Sequence, residues 1–460
     1  MKSCRAAPAW LAALVLTACA TQGPAPLETP AMPAQWQAPL PHNGSVTDLT
    51  TWWQRQGDPL LVRLIAQAQA ASPSLATARS RMVQARAARV ASGAALLPAL
   101  DGVASIERAS AQPPLPLGST AQAGLQASWE IDLFGANRAT RDAAQARLEG
   151  AQAGWHEARV SLAAEVANQY YGLRSCEQLL AVARQDATSR ADTARLTGQS
   201  ADAGFQPPSS AALARASAAE GRVRATLQRA QCDLDVKALV ALSALPEAQL
   251  RQELAASSAV PAPEIAIATL PAQTLSQRPD VFAAEREVTA ASLDVGSARA
   301  RRYPRLSLAG LVGAANFRSD GTSTSLSAWT IGPLALDLPL FDAGRRSANV
   351  AAAGARYDAA VIQYHASVRQ AVREVEEALV RLQSSLERTD DARIALEGYR
   401  ASFAAADSRY QNGMASLLEL EDTRRTRLAA ENAVLSLQLE RDSAWIALYR
   451  AAGGGWTGTE

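Results

Sequence analysis

The sequence predicts a mixed fold in which long α-helices dominate and short β-strands come in pairs. Three observations predict it. The 460 residues repeat themselves once at an offset of about 206 residues, far longer than the repeat unit of a solenoid. Long tracts without Pro predict helices well beyond globular length. Segments that alternate apolar and polar residues predict strands. We therefore expect two similar halves, each with a strand pair and a helical hairpin.

The repeat is carried by residues that interrupt regular structure, not by overall identity. Pro98 of the first half matches Pro304 of the second, and Gly204 matches Gly413. The matches stay in phase with only a small drift along the chain. The predicted division is a first repeat at 58–242, a connector at 243–277, a second repeat at 278–451 and a C-terminal tail at 452–460.

Two very long helices are predicted, over 137–197 and 345–412, where the sequence has no Pro and few Gly. A helix of about 60 residues is ~90 Å long, which requires coiled-coil packing against other helices. Breaks follow at 198–210 and 411–416, and a further helix follows each break, at about 209–243 and 415–451. Each half therefore carries an antiparallel helical hairpin with a Gly at its tip.

The predicted strands lie at about 99–108 and 122–132 in the first half, and at about 305–317 and 325–338 in the second. Period-two alternation gives each an apolar and a polar face, and strands of about ten to fourteen residues suit a tilted membrane-spanning strand. Trp129 and Trp329 would then contribute to an aromatic girdle. A soluble sheet with one wet face would alternate in the same way.

The N-terminus reads as an export signal over 1–18, with Lys2 and Arg5 ahead of a short apolar run. The run ends in Leu-Thr-Ala-Cys, a bacterial lipobox pattern. Cleavage is therefore predicted just before Cys19, which becomes the N-terminal residue and carries diacylglycerol on its thiol. An ordinary secretory signal with an incidental Cys is the alternative. Ala follows the Cys, which favours delivery to the outer membrane. Residues 19–57 are expected to form a lipidated tether, Pro-rich over 21–41, and then an equatorial segment.

The chain is close to neutral, with a formal net charge of +1, which argues against nucleic acid as a partner. Lipid tolerates strands only in a closed barrel, and single-chain barrels begin at about eight strands. With four strands, the chain must assemble to close one. Two copies would supply eight strands and three copies twelve.

The chain resembles the TolC-like family of outer-membrane efflux factors. Within that family it is most similar to the NodT-type lipoproteins of resistance-nodulation-division efflux systems. The resemblance is carried in order by Trp52-Trp53, Gly57 to Leu60, Trp129 to Gly135, Leu336 to Arg345, Arg409 to Gly413 and Ala447 to Trp456. It implies a homotrimer with a 12-stranded outer-membrane β-barrel and a long α-helical coiled-coil barrel. It also implies an equatorial region from 27–57, 244–277 and 452–460, and partnership with a periplasmic adaptor and an inner-membrane pump.

The resemblance assigns adaptor docking to the small and apolar tip residues Gly204, Phe205, Gly413 and Met414. Ordinary turn chemistry is the alternative for the glycines, and the two can hold together. Many relatives place an Asp just after the second tip Gly, where this chain has Ala415. The gate candidates are therefore the nearest carboxylates, Asp202, Asp407 and Glu419, for which plain solvation is the alternative.

Cys176 and Cys232 stand equally far from Gly204 on opposite arms of the first hairpin. In an oxidising compartment they are predicted to form a disulfide, with two buried free thiols as the alternative. Arg299, Arg301, Arg302 and Arg305 cluster where a helix becomes a strand, as a headgroup contact or a solvated charge run.

No spacing of nucleophile, base and acid predicts catalysis, so we expect no enzyme and no cofactor beyond the acyl groups on Cys19. The chain has three His. His156 and His365 occupy matching positions, but a wide tube would keep them too far apart for a metal site.

The expected function is a passive outer-membrane export duct of a tripartite pump, carrying drugs or other small toxic compounds. One alternative is the outer component of type I protein secretion, which Cys19 disfavours because those relatives usually lack a lipobox. The other is a lipidated structural coiled coil of the periplasm, which has no need of four amphipathic strands.

Overall fold

The computed structural model describes residues 32–40, 51–55, 57–109, 117–257 and 271–456. The export signal, Cys19 and the first part of the tether lie outside the described residues. The helices are α1 Trp52–Arg55, α2 Pro59–Ala71, α3 Pro73–Ala94, α4 Ala136–Asp202, α5 Pro208–Ser243, α6 Glu247–Ala256, α7 Pro271–Leu275, α8 Pro279–Ala300, α9 Arg345–Gln411 and α10 Leu417–Ala451. The strands are β1 Ala99–Ala109, β2 Gly118–Ile131, β3 Arg305–Ser319 and β4 Thr322–Asp337.

The chain forms two compact units, and each takes segments from both sequence repeats. In the described residues, the first unit contains 78–154 and 282–367, and the second contains 31–77, 155–281 and 368–456. The long helices α4 and α9 each run for 67 residues, as their lack of Pro predicts. No helix of the described residues is both long enough and apolar enough to cross a membrane.

The first unit holds one antiparallel sheet in the order β1-β2-β3-β4. The pair β2–β3 joins the two sequence halves, with Ile131 opposite Leu306. Strands β1 and β4 are therefore the edges. Every residue of β1 is exposed, and apolar side chains on β4 such as Trp329 and Ile331 are 73% and 81% exposed. A lone protomer leaves this sheet uncovered and its two edges unpaired, which is typical of a part of a larger barrel.

The second unit holds the main hydrophobic core. Its centre is an aromatic group in which Trp52 stacks on Tyr449, with ring centroids 4.8 Å apart, and Trp53 meets the same ring edge-on at 4.9 Å. Leu60 and Leu379 are fully buried beside this group in the same core. At the C-terminal end of α10, the Arg278 guanidinium donates to the carbonyl oxygen of Ala451 at 2.8 Å.

Two residues of the Pro-rich stretch, Trp36 and Ala38, belong to this core, and Leu40 packs against it. The rest of the tether prediction, over 21–31 and at 41, lies outside the described residues. Trp36 and Ala38 are buried. The backbone N–H groups of Gln37 and Ala38 donate to the two carboxylate oxygens of Glu376 at 2.6 and 2.8 Å. Burial of an indole ring and a charge-assisted pair of hydrogen bonds outweigh the flexibility that the Pro-rich composition suggests.

Candidate functional site: the two hairpin tips

The first tip, residues 203–207, reverses the chain between α4 and α5. Gly204 has φ 81°, a left-handed conformation that a side chain would strain. Its N–H donates to the carbonyl oxygen of Ala201 at 3.0 Å, and the N–H of Phe205 donates to that of Ser200 at 2.8 Å. These two bonds form a Schellman motif, which satisfies carbonyls at the end of α4. The Phe205 side chain is left 84% exposed.

The second tip, residues 412–416, repeats this geometry between α9 and α10. Gly413 has φ 75°. Its N–H donates to Tyr410 O at 3.0 Å, and the N–H of Met414 donates to Arg409 O at 2.7 Å. Met414 is 65% exposed. The same backbone motif therefore presents one large apolar side chain at each tip.

The tips differ in how the next helix begins. In the second tip, the Ser416 hydroxyl caps α10 by accepting from the N–H of Glu419 at 3.1 Å. The first tip has Pro207 at the matching place, with no side-chain cap. The second tip therefore has a polar capped end, whereas the first relies on the fixed φ of its two prolines.

The three gate candidates have different surroundings. Asp202 is exposed at the end of α4. Asp407 accepts from the side-chain amide of Gln411 at 2.8 Å. Glu419 forms an ion pair with Arg409 at 2.8 Å, which neutralises its charge locally. Their role at a gate stays a prediction.

The first hairpin is held together by a disulfide. The Sγ atoms of Cys176 and Cys232 lie 2.09 Å apart and their Cα atoms 5.5 Å apart, which joins α4 to α5. The matching positions of the second repeat are Ser385 and Arg441, so the second hairpin has no counterpart.

A buried polar cluster joins the two hairpins, and sequence reasoning missed it. We call it the Arg190–Arg424 cluster; its members are Asp186, Ser189, Arg190, Thr193, Ser217, Glu421 and Arg424. Arg190 is 5% exposed and Arg424 is fully buried. Both arginines ion-pair with Glu421, and Arg190 also pairs with Asp186 at 2.8 Å.

The cluster links three helices directly. Arg424 of α10 donates to the hydroxyls of Ser189 and Thr193 on α4, at 3.2 and 3.0 Å. The Ser217 hydroxyl on α5 donates to Glu421 of α10 at 2.9 Å. Burial is the largest influence on Arg424 and lowers its pKa from the ordinary value, although Glu421 opposes that shift. Buried ion pairs therefore hold the ends of the two hairpins together, since separating the helices would require water to solvate these charges.

One further contact lies between this cluster and the tips. The hydroxyls of Thr197 on α4 and Tyr410 on α9 are 2.6 Å apart. Sequence offered one signal for the cluster. Arg424 continues the stripe of Leu417 and Leu420, where a third apolar residue is expected.

In the part of the chain that the structure describes, no group of three His, Cys, Asp or Glu side chains lies close enough to hold a metal ion.

Comparison with known proteins shows which family the chain belongs to. The family model described as "Outer membrane efflux protein" matches residues 64–245 and 270–454. The chain belongs to this family. The efflux protein fold accounts for both matched segments, since each contains one strand pair and one helical hairpin.

Similar proteins cover almost the whole chain. The pyoverdine export outer membrane protein OpmQ of Pseudomonas aeruginosa is 30% identical over 97% of this chain and 96% of its own length. The solvent efflux pump outer membrane protein SrpC of Pseudomonas putida is 29% identical over 87% and 86%. The solved structure of the outer-membrane channel OprN matches with a TM-score of 0.85, over 95% of this chain and 99% of that one, at 28% identity.

The predicted fold and function are thereby confirmed. The chain is an outer-membrane efflux channel, one protomer of a trimer in which four strands per copy build a 12-stranded barrel. The proteins it matches are channels rather than enzymes.

Proposed function

We propose that this channel is the passive duct of a tripartite pump, docked through its two tips to a periplasmic adaptor that also engages a resistance-nodulation-division pump. The observation that carries the proposal is the repeated tip geometry. Gly204 and Gly413 have nearly equal φ and the same pair of hydrogen bonds. Three copies would present six near-equivalent tips, which suits a partner built as a ring of six.

The chemistry of the tips supports docking rather than catalysis. Each tip combines an unobstructed backbone with one exposed apolar side chain, since no atom lies within 4 Å of a Cβ placed at either Gly. Phe205 and Met414 supply apolar area, and Leu418, 73% exposed, extends it on α10. Apolar groups at the end of a helical tube gain free energy when a partner covers them. On this proposal the chain catalyses no reaction.

The channel is proposed to be anchored in the outer membrane by the diacylglycerol and acyl groups on Cys19 and to extend into the periplasm. The lipobox supports the anchor. The burial of Trp36 adds a second attachment for the segment between the lipid and α1.

The cargo is proposed to be drugs or other small toxic compounds, selected by the pump rather than by the duct. Relatives of similar identity are named for different cargoes, pyoverdine in one and solvents in another. To serve such different molecules, a duct needs sufficient width and docking to its pump more than it needs a specific binding pocket.

The test is a pair of tip substitutions, Gly204→Val with Gly413→Val, in a strain that relies on this channel for resistance. Val at φ near 80° is strained, so the tips must rearrange. The matched control is Gly198→Val with Gly398→Val, at helical glycines that also have no atom within 4 Å of an added Cβ. We expect trimers from both, but lost resistance and lost co-purification with the adaptor only for the tip variant. Equal resistance in the two variants would contradict docking at the tips.

A further inference from the structure

An aromatic contact inside the chain marks the place where its two halves meet. Phe134 follows β2 and stacks on Tyr303, which precedes β3, with ring centroids 4.9 Å apart and planes 18° apart. Strands β2 and β3 are antiparallel, with Ile131 opposite Leu306. The Phe134–Tyr303 pair continues that register beyond the last paired residues. The stacked rings therefore lie just beyond the last hydrogen-bonded residues of β2 and β3, between these strands and the neighbouring helices.

The internal repeat supplies a second copy of each partner. Leu133-Phe134 matches Leu340-Phe341, so Phe341 is the counterpart of Phe134. Tyr303-Pro304 matches Leu97-Pro98, so Leu97 is the counterpart of Tyr303. Phe341 follows the edge strand β4 and is 91% exposed, whereas Leu97 precedes the other edge strand β1 and is 67% exposed. Phe341 and Leu97 are thus exposed, whereas their counterparts in the repeat, Phe134 and Tyr303, pack against each other.

In the trimer, the edge β4 of one copy pairs with the edge β1 of the next. We propose that Phe341 of one copy packs on Leu97 of the neighbouring copy, as Phe134 packs on Tyr303 within the chain. The occupant of this surface is a second copy of the chain. The inference rests on the trimeric fold and on neither adaptor docking nor cargo.

The ion pairs beside the Phe134–Tyr303 contact have no direct counterpart in the sequence that flanks Leu97. Within the chain, Arg147 of α4 pairs with Glu287 and Asp294 of α8, at 3.2 and 2.6 Å. On α3 the counterparts of these carboxylates are Arg81 and Ala88. Helix α3 has no acidic residue at all. Helix α3 therefore offers no carboxylate to the neighbouring copy, so the ion pairs formed within the chain are not repeated in the same sense between copies.

The test is cysteine cross-linking of the full-length channel in detergent. Leu97→Cys with Phe341→Cys is treated with a short bis-maleimide, then denatured and run on a gel. The native cysteines of the folded region are held in the Cys176–Cys232 disulfide. We expect covalent dimers and trimers. The matched control, Phe134→Cys with Tyr303→Cys, should cross-link within one chain and stay at monomer mass.

This contact would be overturned if the Leu97→Cys/Phe341→Cys protein gave only monomers on the denaturing gel while the control pair was cross-linked and native gels showed a trimer. That result would leave the trimeric assembly itself intact. A second measurement uses no cysteine. Phe341→Ala should lower the temperature at which the trimer dissociates in SDS, and Phe341→Leu should recover most of it. An unchanged dissociation temperature in Phe341→Ala would also overturn the contact.

Discussion

Replacing Glu421 tests whether the Arg190–Arg424 cluster holds the two hairpins together. Glu421→Ala removes the carboxylate that accepts from Arg190, Arg424 and the Ser217 hydroxyl. Arg424 stays fully buried without its closest counter-charge. Removing one partner of a buried pair costs about 3–5 kcal/mol. Since the Glu421 side chain is itself 16% exposed, we expect about 3 kcal/mol.

The matched control is Glu440→Ala on the same helix. Glu440 pairs with Arg388, but the two side chains are 41% and 50% exposed. Such exposed pairs contribute under about 1 kcal/mol. A third variant, Glu421→Ala with Arg424→Leu, removes the unpaired charge and should regain much of the loss, because an apolar side chain then completes the stripe of Leu417 and Leu420.

The assay is hydrogen exchange of α4 and α10 in the detergent-solubilised trimer, together with its thermal unfolding. Glu421→Ala should raise exchange at both hairpin ends, whereas Glu440→Ala should not. In cells the same variant should let in large antibiotics that the outer membrane normally excludes, because loosened hairpins would leave the predicted gate at the tip end of the tube open. If Glu421→Ala and Glu440→Ala lower stability equally, the cluster is not the tie described above.

Two further predictions concern the covalent bonds of the chain. Mass analysis of unreduced protein should find Cys176 and Cys232 bonded, and Cys176→Ser should lower the free energy of unfolding by up to about 4 kcal/mol, since the bond closes a loop with a sequence separation of 56; two free thiols in native protein would refute it. Labelled fatty acid should be incorporated by the native chain and lost in Cys19→Ala, while incorporation that persists in the variant would refute lipidation at that residue.

The elements of the fold could be predicted because local chemistry determines where they end. Pro98 and Pro304 stand just before β1 and β3, and the long helices end close to Gly204 and Gly413 because a left-handed residue is required there. The strand alternation gave β3 to within two residues at its end, at Ser319 rather than near 317.

The interior of the second unit could not be predicted in the same way. A helix rich in Arg and Glu has the composition of a solvated coiled-coil surface, so nothing local marks Arg424 as fully buried except its place on an apolar stripe. The contact of Glu376 with residues 37 and 38 joins segments far apart in sequence. Only the tertiary packing brings these groups together.

The most direct test of the central claim is ion conductance in a planar lipid bilayer. Purified trimer should give discrete, low-conductance steps as isolated, since the Arg190–Arg424 cluster ties the helices of the two hairpins near their tips, and larger steps for Glu421→Ala. Trimer that inserts but never conducts, in either protein and even in acid or high salt, would contradict the identification of this chain as an export duct.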